Sequence, residues 1–187
     1  MAQIGLFPTP IGACGLAWRG DVIIATRLPD RTPERTLRHL SSRTGGTDGE
    51  PPQAIRAAIR AMTALLEGET PDLSEIPCDM GAVDALDAAV YGATRAVPPG
   101  QTSTYGAIAA GLGDVRLARQ VGQALGRNPL PILVPCHRIL GADGRLVGFS
   151  ASGGIETKLR MLEIEGAQVG VGPGLFGELP RATRPRR

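Results

Sequence analysis

Nowhere in the chain do roughly eighteen uncharged apolar residues follow one another, and the opening MAQIGLFPTP carries no basic leader ahead of a long apolar run. Neither a membrane-spanning helix nor export is expected, which leaves a cytoplasmic location. Cysteine is scarce: Cys14, Cys78 and Cys136 are the only three, far apart, odd in number, and at neither disulfide-framework nor CxxC spacing. A reducing compartment suits such usage. Cys14, His39 and Cys78 are mixed ligand types at unpatterned distances, so no structural zinc is expected, and nothing calls for a cofactor. A strong excess of one charge is also missing, and a net charge of +2 does not by itself announce a nucleic-acid partner.

What is present is enough to fold. With 187 residues, 42% of them hydrophobic, the chain can bury a sizeable core. Residues 1–78 read as a small mixed α/β unit. GACGLAWRGDVIIATRLP gives two extended apolar strands around Arg19, Gly20 and Asp21, a hairpin with imperfect alternation. Thr32, Pro33 and Glu34 form a helix start, the SSRTGGTDGEPP run breaks the chain, and Gln53 to Glu67 repeats Ile55, Ile59, Met62 and Leu66 on one helical face. Residues 79–168 read as a mainly helical unit. It opens with a helix near Val83 whose stripe is Leu86, Val90, Ala93 and Val97, and it closes with a helix from Glu156 to Glu165 that turns Leu159 and Leu162 inward. Residues 169–187 end in RATRPRR, a flexible basic tail that is either an electrostatic arm or a solubilising end.

Charge distribution says more than net charge. Between residues 115 and 145, Arg116, Arg119, Arg127, Arg138 and Arg145 face a single acid, Asp143, a local excess able to meet phosphate. The same region holds TSTYGAIAAGLGDVRLARQVGQALGRNP, where Ser103 or Thr104 caps one short helix, Gly111 to Asp114 turn the chain, and a second helix runs from about Val115 to Leu125. This is a helix-turn-helix or a plain helical hairpin. Ala118 and Gly122 share a face of the second helix, and Gly122 costs roughly 1 kcal/mol of helix propensity relative to alanine. A close neighbour would account for that cost, either another helix or a nucleic-acid backbone.

LVPCHRIL places Cys136, His137 and Arg138 inside an apolar run. A buried thiol packs like any small hydrophobe, but one flanked by an imidazole can be chemical. Only a few per cent of free cysteine is ionised near neutrality, and an imidazole oriented by an acid, for which Glu165 is the candidate, would raise that fraction. Arg138 reads as one side of a buried structural ion pair.

PPGQTSTYGAIA, ARQVGQALGRNP, LVPCHRIL and GFSASGG, followed by Lys158 and then LEIEG, together resemble the methylated-DNA–protein-cysteine methyltransferases, which repair 6-O-alkylguanine. The resemblance covers most of residues 83–166, while residues 1–78 match only in element order. It implies a small α/β N-terminal domain and a helical C-terminal domain whose helix-turn-helix binds the minor groove of double-stranded DNA and flips out the damaged base. It further implies that Cys136 accepts the alkyl group, His137 is its water-linked base and Glu165 orients His137. Asn128 would tie the recognition helix to the active segment, and Tyr105 would donate to N3 of the flipped guanine. Arg119 would fill the vacated stack beside Ala118 and Gly122, and Ser152 would contact the base oxygen. The carbonyl of Cys136 and the backbone around Ile139 would read the exocyclic amine. The chain departs from the family pattern at Gln120, where the family has alanine on the recognition helix, and at Leu86 and Tyr91, which replace phenylalanine and tryptophan.

The expected activity is a single, irreversible transfer of the alkyl group to Cys136 by a monomer. Two other readings remain at this point. A protein that recognises alkylated bases without accepting the group would not need Cys136, and a thiol hydrolase would need an acyl-substrate site that the sequence does not advertise.

Overall fold

The computed structural model describes residues 1–167 and 169, so the expected basic tail lies outside it except for Val169. The chain begins with β1 (Gln3–Thr9), β2 (Gly12–Arg19) and β3 (Val22–Arg27), then α1 (Pro33–Thr44), β4 (Thr47–Asp48) and α2 (Gln53–Leu66). The sheet order is β3-β2-β1-β4, antiparallel except that β4 runs parallel to β1.

The expected hairpin is β2–β3. Its imperfect alternation has a plain cause: residues 14–18 of β2 are all buried, because helices cover both faces of this central strand. Leu40 of α1 packs with Ile4, Ala17 and Ala25 on one side, whereas Ile55, Met62 and Leu66 of α2 join Leu16, Trp18 and Ile23 on the other. β1 was not expected. Its buried residues, Ile4 and Phe7, are three apart and two prolines follow, so it has no period-two signal.

Thr32 caps α1 and Pro33 occupies its first turn, as read. The break comes later than expected. SSRT continues the helix, with the Thr44 hydroxyl bonded to the Leu40 carbonyl at 2.7 Å, and the helix stops where Gly45 takes the left-handed conformation, φ 66°.

The second unit holds α3 (Ala85–Arg95), β5 (Ser103–Thr104), α4 (Tyr105–Gly111), α5 (Ala118–Gly126), β6 (Ile139–Leu140) and α6 (Ile155–Ile164). α3 is rotated from the expected stripe. Its buried residues are Asp87, Val90, Tyr91 and Thr94, because the Tyr91 hydroxyl donates to the Ala124 carbonyl of α5 at 2.9 Å and Asp87 receives Arg127 at 2.8 Å. In α6, Leu162 is buried as expected, but Lys158 and Met161 accompany it rather than Leu159. Thr104 caps α4 by accepting from the Ala107 amide at 3.0 Å. Val115–Leu117 forms a 3-10 turn rather than the start of α5. α4 and α5 pack as the two helices of a helix-turn-helix-like unit.

The two units share one buried cluster that runs from Phe7 and Trp18 through α2 to Val121, Leu130 and Met161. β3 stitches them together: the Thr26 amide and hydroxyl donate to the Pro129 and Pro131 carbonyls at 3.0 and 2.5 Å. No helix among the described residues is long and apolar enough to cross a membrane.

Candidate active site

The segment after α5 cannot run straight. Asn128 ends the helix by accepting the Leu130 amide at 2.9 Å and donating to the Val134 carbonyl at 2.8 Å, which folds Leu130–Val134 into a loop. Within it Ile132 sits at φ 80°, a left-handed conformation that costs a β-branched residue about 1–3 kcal/mol. Pro135 then leads into a 3-10 turn, Cys136–Arg138, and on into β6. β5 pairs parallel with β6, Ser103 opposite Ile139 and Thr104 opposite Leu140. That two-residue ladder brings Tyr105, the first residue of α4, beside the turn.

Residues 132–140 are all buried. Burial pushes the Cys136 thiol above its ordinary value, while a hydrogen bond with Asn128, the charge of Lys158 and the backbone amides of the turn pull it down. The resting group is a thiol and needs a base. His137 is 1% exposed and places Nε2 2.8 Å from Oε1 of Glu165; its Nδ1 is buried with no partner among the described residues. Burial lowers the His137 pKa more than Glu165 raises it, so the imidazole is neutral near pH 7. Its Nε2–H donates to the carboxylate, and Nδ1 keeps a free lone pair.

Burial alone would raise the Glu165 carboxyl, but hydrogen bonds from His137 and Arg138 outweigh it and hold it at about 2. Arg138 supplies the expected structural ion pair, and its partner is this same Glu165: Nε and Nη2 donate to the carboxylate at 2.9 Å each, and Nη1 donates to the Val97 carbonyl at 2.6 Å. Glu165 is the C-cap of α6, so the clamp fastens that helix to the turn.

Tyr105 is half-buried, and burial with the neighbouring Cys136 raises its phenol. A Cβ added to Gly122 would lie 3.7 Å from the Tyr105 ring. The close neighbour anticipated for Gly122 is therefore, within the protein, the α4 aromatic. Ala118 is half-buried near the start of α5, while Arg119 and Gln120 are exposed beside it. Ser152 shares with Asn128, Pro131, Cys136 and Phe149 a cavity of about 350 Å³. A larger cavity, about 410 Å³, lies against Pro135 and Arg138 but excludes Cys136, and the thiol decides which of the two matters for chemistry. The Cys136 carbonyl accepts from the Ile139 amide, and the Ile139 carbonyl accepts from Lys158 Nζ at 2.5 Å.

Lys158 stood in the sequence pattern between GFSASGG and LEIEG but was given no role there. It is fully buried, its Nζ also lies 3.5 Å from the Val147 carbonyl, and it sits 5.8 and 5.9 Å from the centroids of Tyr105 and Phe149. Burial lowers its pKa to about 8 against the pull of Cys136. A signal was available: it is the only lysine in a chain with nineteen arginines. Where arginine serves every other cationic position, a retained lysine marks a slot too narrow for a guanidinium. The other two thiols are placed differently. Cys14 is buried against Thr9 and pushed up to about 12, and Cys78 receives a bond from Arg95 at 3.3 Å. No group of three side chains suited to a metal occurs among the described residues.

The family described as 6-O-methylguanine DNA methyltransferase, DNA binding domain, matches residues 85–167. A methylated-DNA–protein-cysteine methyltransferase of Mycolicibacterium paratuberculosis is 38% identical over 165 residues, covering 88% of this chain and 93% of the relative. One from Methanosarcina acetivorans is 32% identical over 169 residues, covering 87% and 97%. The crystal structure of Mycobacterium tuberculosis O6-methylguanine methyltransferase superposes with a TM-score of 0.73 at 36% identity, covering 89% of this chain and 93% of that one. Because the likeness extends through the sheet unit, where the sequence motifs are silent, as well as through the helical one, the chain belongs to the methylated-DNA–protein-cysteine methyltransferases.

Proposed function

We propose that the chain repairs 6-O-alkylguanine in double-stranded DNA by one irreversible transfer to Cys136, with its residues in the following roles. His137 takes the thiol proton at Nδ1, through a water, and the resulting imidazolium is stabilised by Glu165. The thiolate attacks the alkyl carbon in line. The S–C bond forms, the C–O bond to the base breaks, and the electron pair passes to the purine, whose N3 accepts a proton from Tyr105. The product is a thioether, and among the described residues no second nucleophile stands beside Cys136 to remove it. Asn128 holds the active segment in shape. The carbonyl of Cys136 and the backbone around Ile139 read the exocyclic amine, and Ser152 contacts the base oxygen.

DNA binding falls to α4 and α5. Ala118, Gly122 and Gln120 approach the minor groove, which is about 6 Å wide and admits a helix closely only through small side chains. Arg119 fills the space left by the flipped base, offsetting an unstacking cost of a few kcal/mol. The chain acts as a monomer, one molecule per lesion, in a reducing cytoplasm.

The observation that carries the reading is the neutral His137, with one nitrogen on Glu165 and the other without a partner among the described residues, next to a buried thiol. The test is intact-protein mass spectrometry with peptide mapping after incubation with excess 6-O-methylguanine duplex. One methyl group on Cys136 is expected, with Cys136→Ala inert yet still binding the lesion. Repeated turnover by unmodified protein, or tight binding without transfer, would overturn the proposal.

A further inference from the structure

The cavity that holds the Cys136 thiol has a second wall. Arg27 and Arg43, from the sheet unit, and Arg127, just past α5, border the same space as Cys136 and Ser152. The transfer roles above use none of them. Two of these guanidiniums are held along one edge: Arg27 gives Nε and Nη2 to Asp30 at 3.1 and 3.4 Å, and Arg127 gives Nε and Nη2 to Asp87 at 3.2 and 2.8 Å. Neither Nη1 has a partner among the described residues. A fork fixed in this way loses little further freedom when its open edge meets an oxyanion. His39 Nδ1, 2.7 Å from Asp30, steadies the first of these carboxylates. Arg43 is exposed in the last turn of α1 and forms no ion pair among the described residues. Three guanidiniums against two carboxylates leave the rim one positive charge in excess.

We propose that this rim is an anion site that receives a phosphate of the damaged strand, so that the sheet unit takes part in substrate binding. The inference rests on Cys136 being the alkyl acceptor. Duplex DNA presents phosphate oxyanions at every nucleotide, and most protein–DNA hydrogen bonds go to the backbone. A second source of the same chemistry is the alkyl group itself when it ends in a carboxylate.

Two arms separate the sources. In the first, single-turnover transfer from a 6-O-methylguanine duplex is measured at about 50 and 200 mM salt for the starting protein, Arg43→Gln and Arg27→Gln. Each phosphate contact contributes about a 3.5-fold fall over that range, so each variant should flatten the salt dependence by about threefold. Arg43→Gln removes no ion pair, so it keeps the test sound even if Arg27→Gln, which strands Asp30, folds poorly. In the second arm the base oxygen carries a 3-carboxypropyl or a butyl group. An alkyl-borne anion would make the carboxypropyl group transfer faster than butyl in the starting protein and equalise the two in the variants, with the salt dependence of methyl transfer unmoved. If Arg43→Gln leaves both the salt profile and the carboxypropyl-to-butyl ratio as they were, the anion site is refuted. Absence of methyl transfer by the starting protein would instead refute the reading beneath it.

Discussion

Glu165 has two customers, and that alters how its variants should be read. It fixes the His137 tautomer and it neutralises buried Arg138. Glu165→Gln removes the base's orienter and also leaves an unpaired buried guanidinium, an event that costs about 3–5 kcal/mol. His137→Ala keeps the Arg138–Glu165 pair and so separates the two effects: methyl transfer should fall by about a hundredfold or more while lesion affinity changes little, and the urea midpoint should fall less than in Glu165→Gln. Glu165→Gln should lower both transfer and the midpoint. The stability that Glu165 contributes also sets an acid limit. Its folded pKa of about 2 lies below its ordinary 4.5, so its contribution is complete above the ordinary value and is lost as pH falls toward 2. The pH slope from Lys158 has the same sign, but here the lowered pKa is a cost of burying the charged form rather than a stabilisation. Its folded pKa of about 8 lies below its ordinary 10.5, so the unfolded chain binds more protons between these values and stability rises with pH across that window. Loss of the ammonium above pH about 8 also removes a charge that lowers the Cys136 pKa. The transfer rate should therefore decline on the alkaline side, and Lys158→Met should be about tenfold slower near neutrality and lack that decline. An alkaline limb that survives in Lys158→Met would show that another group titrates there. At this scale Cys136 and His137 were legible in four letters, PCHR. The burial and role of Lys158 were not, because TKLR within an amphipathic helix resembles any solvated turn and only the tertiary fold buries it.

Elements position these groups through short, non-local bonds. The loop from Asn128 to Val134 is held by one side chain, which satisfies a backbone amide and a carbonyl at once. Asn128→Ala should leave both buried groups without that partner and cost about 2–4 kcal/mol, measurable as a shift in the urea midpoint without a change in slope. A variant as stable as the starting protein would mean that the loop holds itself. The β5–β6 ladder is two residues long and parallel, and no local pattern in TSTY or RIL announces it. The helix starts were easier, since Thr32 and Thr104 mark them by residue type. α3 shows the limit of that ease. Its stripe was read from apolar letters, yet the face that packs is chosen by a tyrosine hydroxyl and an aspartate that reach α5.

Across the whole molecule, the division into a sheet unit and a helical unit was legible, but the shared core was not. Thr26 of β3 bonds the Pro129 and Pro131 carbonyls, and one cluster runs from Phe7 to Met161. Such continuity should give one cooperative transition, with tryptophan fluorescence from Trp18 in the sheet unit and far-ultraviolet circular dichroism from the helices melting together in urea. Two separated midpoints would show that the units fold independently.

The single lysine has a consequence of a practical kind. Its side chain carries the one ε-amine of these 187 residues, and that amine is sealed from solvent. Acylating reagents such as succinimidyl esters should therefore leave this side chain unmodified while the protein is folded and reach it only as the core opens, so that acylation of Lys158 reports unfolding. Any acetyl or other group that a cell adds to lysine finds no exposed ε-amine here to land on.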